Sequence, residues 1–121
     1  MRQVELEDSL LPLVDRVIAA DEAMYEIYCR YKEGDIRDAK VYRDWSREGD
    51  AANKRWVEAA TELASMIPHR SGCFVRDGYI FIWNPMTEQS LRFIVKRPGI
   101  PWKSGAVAIP IKSHFKLNQV A

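Results

Sequence analysis

The chain has 121 residues, of which 47% are hydrophobic and 29% charged. That balance and size fit one globular domain over residues 1–121 and exclude a largely disordered or collagen-like chain. The net charge of +1 hides a split: residues 1–35 carry nine acidic and four basic side chains, residues 36–68 six of each, and residues 69–121 two acidic and eight basic.

Such a split predicts a basic face that meets an anionic partner or the acidic half of another copy. Neutralisation within one fold is the plainer alternative.

A first helix is expected over residues 8–33. Asp8 or Ser9 can cap it, and Pro12 falls in the first turn, where a missing N–H costs no internal bond. Leu10, Leu13, Val17, Ala20, Met24, Ile27 and Tyr31 recur at alternating spacings of three and four, a seam for a nearly antiparallel partner helix. A second row, Leu11, Val14, Ile18, Tyr25 and Tyr28, makes the apolar face wider than one partner needs. The surplus is expected to face the sheet or a second subunit. Gly34 is a natural stop.

A second helix is expected over residues 35–67, with its seam at Trp45, Ala52, Trp56, Ala59, Leu63 and Met66. Gly49-Asp50 interrupts that pattern and predicts a break near 49–50. Pro68 ends the element, because the residue before a proline is pushed out of helical geometry.

A β-meander is expected over residues 72–97. Asp77-Gly78 between Gly72–Arg76 and Tyr79–Trp83 signals a two-residue hairpin, since a type I′ turn needs positive φ at both central positions. The turn fixes the register: Arg76 opposes Tyr79, Val75 opposes Ile80, Phe74 opposes Phe81, and Cys73 opposes Ile82. The third run, Leu91–Lys96, has no such turn, and its register is chosen by burial. Placing Leu91, Phe93 and Val95 with the aliphatic row (Cys73, Val75, Ile80, Ile82) sends Arg92, Ile94 and Lys96 to the aromatic side. Residues 98–121 hold three prolines and read as an extended arm, with one edge strand at Ala106–Ile109. The expected fold is therefore α+β: a long N-terminal helical hairpin packed by the aliphatic face on a three-stranded antiparallel meander, with a proline-rich C-terminal arm.

The opposite sheet face is the sharpest functional feature. Phe74, Tyr79, Phe81 and Trp83 interleaved with Arg76, Arg92 and Lys96 is the composition of single-stranded nucleic-acid binders, in which bases stack on rings and cations hold phosphates. The alternative is that these rings pack under the arm or against another subunit.

No motif specifies a chemistry. His69 and His114 lack ligand spacing, so neither a metal site nor a cofactor is expected. Cys29 and Cys73 form neither a disulfide framework nor a zinc motif. No phosphate-binding glycine loop or nucleophile elbow is present, and no catalytic residue is assigned. The opening residues have no apolar core for a signal peptide, and no apolar run approaches a membrane span, so a cytoplasmic setting is expected.

The order of elements, hairpin then meander, is similar to that of the small mRNA-cleaving toxins of bacterial toxin–antitoxin pairs. Those typically open with a strand, have shorter helices and join the first two meander strands less tightly than Asp77-Gly78 does. The likeness is one of element order and carries over no residue. The expected function is that of a non-enzymatic interaction protein, a homo-oligomer or binder of a protein partner. Single-stranded nucleic-acid binding through the sheet and a small enzyme or ligand binder with a pocket between helices and sheet are the alternatives.

Overall fold

The computed structural model describes residues 2–32, 34, 37–87, 90–99 and 105–110, with residues 109 and 110 described by their backbone alone. Two helices pack on a four-stranded antiparallel sheet, an α+β arrangement. A 3-10 turn, Asp8–Leu10, leads into α1, Leu11–Tyr31, with Pro12 in its first turn. Neither Asp8 nor Ser9 serves as a side-chain cap; the 3-10 turn takes up the leading N–H groups instead, with Leu10 N–H donating to the Glu7 carbonyl at 2.9 Å.

The second helix, α2, runs from Ala39 to Met66, capped by Asp38, whose carboxylate accepts from the N–H groups of Lys40 and Val41. The expected break at Gly49-Asp50 is absent: α2 is continuous through both. Ile67 takes up extended geometry ahead of Pro68, as the proline requires. The helices are antiparallel, and ion pairs Arg16–Glu62 and Arg30–Glu48 join them across the seam.

The strands are β1, Gly72–Arg76; β2, Tyr79–Pro85; β3, Ser90–Lys96; and β4, Gly105–Pro110, in that spatial order. The meander thus has a fourth strand, formed by part of the expected arm, while residues 111–121 lie outside the described residues. Asp77 and Gly78 both have positive φ, and the β1–β2 register is the one the two-residue turn dictates.

The β2–β3 register is not the expected one. Trp83 opposes Phe93, Phe81 opposes Val95, and Pro85 opposes Leu91. Met86 N–H donates to the Ser90 carbonyl at 2.8 Å, which closes the connection tightly and sets this register. Leu91, Phe93 and Val95 therefore join the aromatic row, and Arg92, Ile94 and Lys96 join the aliphatic one.

It is the aromatic face that turns to the helices, the reverse of the expectation. Each aromatic side chain removes about 150–250 Å² from water, more than valine, isoleucine or cysteine offers. The core consists of Phe81, Trp83, Leu91, Phe93 and Val95 from the sheet against Val14, Val17 and Ile18 of α1 and Trp56, Ala60 and Leu63 of α2. Phe93 sits between the rings of Phe81 and Trp83, with centroids 6.1 and 6.3 Å away.

Candidate interaction surface

The seven residues expected to share one binding face do not. Tyr79, Phe81 and Trp83 are 3%, 1% and 0% exposed beneath the helices, and Phe74 is half-buried against Phe81. Arg92 and Lys96 are exposed on the opposite side of the sheet, because the observed register places them with Ile80 and Ile82. Arg76 is held by Asp15, Nε donating to Oδ1 at 2.7 Å, and that bond keeps the Asp15 carboxyl below its ordinary range. The buried rings present no stacking platform to solvent.

The polar tips of two of those rings are satisfied inside the fold. Trp83 Nε1 donates to the His69 carbonyl at 3.0 Å. Tyr79 Oη donates to Asp21 Oδ2 at 3.1 Å, and Arg97 Nη1 donates to that same oxygen at 3.0 Å and to Tyr79 Oη at 3.0 Å. Burial, and then the Asp21 charge, push the Tyr79 phenol well above its ordinary pKa. The Arg97 guanidinium also lies 3.9 Å from the centroid of the Tyr25 ring. This cluster pins the end of β3 to the middle of α1.

Beyond that cluster the hairpin outruns the sheet. Buried residues end at Asp21 in α1 and begin only at Ala52 in α2. Past these points each helix continues for three turns or so, about 15 Å or more. The sheet-facing row of α1 goes on as Tyr25 and Tyr28, ring centroids 6.0 Å apart, and α2 contributes Tyr42 and Trp45, 5.9 Å apart. Tyr25, Tyr28, Tyr42 and Trp45 are 37%, 57%, 50% and 38% exposed. A groove of about 300 Å³ lies between the helices here, lined by Met24, Ile27, Tyr28, Trp45, Gly49 and Ala52 among others.

Gly49 is the informative residue in that groove. It sits inside α2, and a Cβ built on it would have no heavy atom within 4 Å. Among the described residues neither a turn nor a close packing contact requires glycine there, although glycine costs an interior helical position about 1 kcal/mol relative to alanine. The sequence signal was present, since Gly49 stands out in the α2 pattern and Tyr25 and Tyr28 form a surplus row. What periodicity alone missed was that the helix continues through the glycine.

A second open surface is the outer sheet face, where Val75 and Ile80 are 46% and 38% exposed beside half-buried Cys73, Ile82 and Ile94. Neither Cys29 nor Cys73 is in a disulfide. Among the described residues no group of three or more His, Cys, Asp or Glu could hold a metal ion, and no helix is long and apolar enough to cross a membrane. His114 lies outside the described residues. No protein-family model, curated protein or solved structure matches the chain, so function has to be argued from the geometry.

Proposed function

We propose that the protein is a non-enzymatic interaction protein that self-associates through the far end of its helical hairpin. The observation that carries this reading is Gly49, a helix-interior glycine without any internal steric need, at the floor of a groove walled by exposed Tyr28 and Trp45. A small floor lets another helix approach to the usual 8–10 Å axis separation. The hairpin end of a second copy supplies such a helix together with matching aromatic rings. Tyrosine and tryptophan are also the residues that most often anchor interfaces.

The open area sets the size class of the interface. With exposures between 37% and 57%, the four rings leave on the order of 350 Å² of aromatic surface open on each copy. Doubled, and with a polar rim in the usual proportion, the interface reaches about 1,100–1,200 Å². That is the lower end of specific interfaces, the size class of weak and transient associations, and is consistent with a reversible dimer.

Sedimentation velocity across a concentration series tests the reading. The expected result is a shift from the 14.0 kDa monomer toward twice that mass, abolished by Gly49→Phe and by Tyr28→Ala with Trp45→Ala. A chain that stays monomeric at several hundred micromolar, or a dimer indifferent to both variants, overturns it.

A further inference from the structure

The two edges of the sheet are finished differently. At β1 the N-terminal residues close the edge: Val4 N–H donates to the Cys73 carbonyl at 2.9 Å, and Cys73 N–H donates to the Arg2 carbonyl at 2.9 Å. Gln3 bridges Cys73 in the parallel sense. At β4, among the described residues, no strand lies on the outer side. Exposed edges are usually blunted by charge, an early proline or a bulge. This one reads Gly-Ala-Val-Ala-Ile-Pro, without charge until its end, and pairs with β3 residue for residue from Gly105 to Pro110.

We infer that β4 takes up an extended, acidic segment of a partner polypeptide as a fifth strand. Main-chain hydrogen bonding supplies the affinity of such strand addition, and alternate side chains supply its specificity. The charge comes from β3. Arg92 and Lys96 are exposed on the outer sheet face, and neither has a carboxylate partner among the described residues. By contrast Arg16, Arg30, Arg47, Arg76 and Arg97 each hold one.

Among the described residues, Ala108 stands opposite Arg92 and Ala106 opposite Ile94 between the two cations, both alanines exposed and too short to screen them. A fifth strand would lie two strand spacings from β3, about 10 Å. A long basic side chain and a glutamate together span that distance. Because Arg92 and Lys96 are four residues apart on one face, they call for two carboxylates four residues apart, roughly 13 Å along an extended strand. The residues between them should be apolar on the helix side, to continue the layer of Val107 beneath α2.

A further donor stands at the same edge. Trp56 is 2% exposed, and its buried Nε1 has no hydrogen-bond partner among the described residues. The six-membered ring of the indole lies against Gly105, where a Cβ would come within 2.8 Å of Cζ2, 2.9 Å of Cη2 and 3.3 Å of Cε2, the carbon that carries the nitrogen. Buried indole N–H groups normally find an acceptor. A carbonyl or side-chain oxygen of an added strand at this corner would provide one.

The test uses the full chain and a synthetic blocked heptapeptide, Val-Glu-Val-Thr-Val-Glu-Val, with a fluorescent label. Saturable binding is expected at about 50 mM salt, weakening as salt screens the exposed pairs. Charge reversal at both cations, Arg92→Glu with Lys96→Glu, should weaken it about tenfold or more, roughly 1.4 kcal/mol. In an amide NMR titration, residues 105–108 and the Trp56 indole N–H should shift. A peptide with proline for its central threonine should not bind. Tyr28→Ala with Trp45→Ala should leave binding intact, so this inference and the hairpin reading fail separately. Absence of saturation at millimolar peptide, equal binding of a peptide with lysine in place of glutamate, or shifts confined to residues other than β4 would overturn the assignment.

Discussion

The cluster around Asp21 makes the most quantitative prediction. Among the described residues Asp21 is the one buried charged side chain, and its Oδ2 accepts from both Tyr79 Oη at 3.1 Å and Arg97 Nη1 at 3.0 Å. Asp21→Ala removes the shared acceptor and leaves a guanidinium with 18% side-chain exposure beside a phenol whose O–H has lost its acceptor, although its oxygen still accepts from Arg97. Breaking a buried ion pair from one side costs about 3–5 kcal/mol, and the partial access of Arg97 to water puts this case near about 3. For a chain of this length the unfolding entropy is about 0.25 kcal/mol per kelvin, so the melting temperature should fall by about 12 °C. Urea unfolding and calorimetry measure both quantities. The logic has a built-in control. Replacing the whole cluster, Asp21→Leu with Tyr79→Phe and Arg97→Met, removes every polar group that would be stranded, and most of the lost stability should return. A loss below about 1 kcal/mol for Asp21→Ala, or a triple variant no better than the single one, would refute the account.

Other outcomes follow from the same geometry. Gly49→Ala should raise stability by about 0.5–1 kcal/mol, or about 2–4 °C, because the new methyl meets nothing and the helix loses its least favourable residue; a lower melting temperature would show that the glycine has a structural reason. Gly105→Ala should destabilise by about 1–3 kcal/mol, since its Cβ would stand 2.8 Å from the Trp56 ring, and the same calorimetry reads it. The Tyr79 phenol is raised by burial and by Asp21, so the folded state keeps its proton after the unfolded chain has lost it. Stability should therefore fall as pH rises above about 10, with a slope approaching 1.4 kcal/mol per pH unit from this group. Tyr79→Phe should remove that part of the alkaline loss; an unchanged alkaline slope in the variant would be evidence against the assignment.

What could be read from the sequence was whatever local chemistry decides. Asp77-Gly78 forces positive φ at two positions, and from that one turn the whole β1–β2 register follows. Pro12 and Pro68 bound helices for equally local reasons. The β2–β3 register had no such turn, and the rule applied to it kept cations away from aliphatic residues. The fold obeys a stronger rule: it gathers the large rings and Leu91, Phe93 and Val95 on one side and lets the smaller aliphatic row share the surface with Arg92 and Lys96. Gly49-Asp50 signals a break locally, by interrupting the seam and offering Asp50 as a cap, but α2 is tied to α1 on both sides of it and runs through. The surplus row of α1 was legible as surplus. That half of it lies under the sheet and half beyond it depends on relative lengths, which periodicity does not report.

Those lengths bear on why the hairpin end is a surface for something else. Twenty-eight residues of α2 span about 42 Å, while a seven-residue strand spans about 23 Å. Helices that served only to cover the sheet would gain nothing from the extra turns. Those turns keep the structural investment of a working element: an Asp38 cap and the Arg30–Glu48 bridge between the helices. They also keep four aromatic rings that burial within this chain leaves open, and a glycine that lowers the stability of the helix holding it. Extra length alone could be incidental, and scattered exposed rings are ordinary. A rigid extension that combines paired rings on both helices with an open, glycine-floored groove between them is the arrangement expected when another helix completes the packing. The Gly49→Ala and Gly49→Phe variants separate the two readings. If the glycine is incidental, both should leave the oligomeric state alone. If it is the floor of an interface, the methyl should already weaken the association and the ring should keep copies apart.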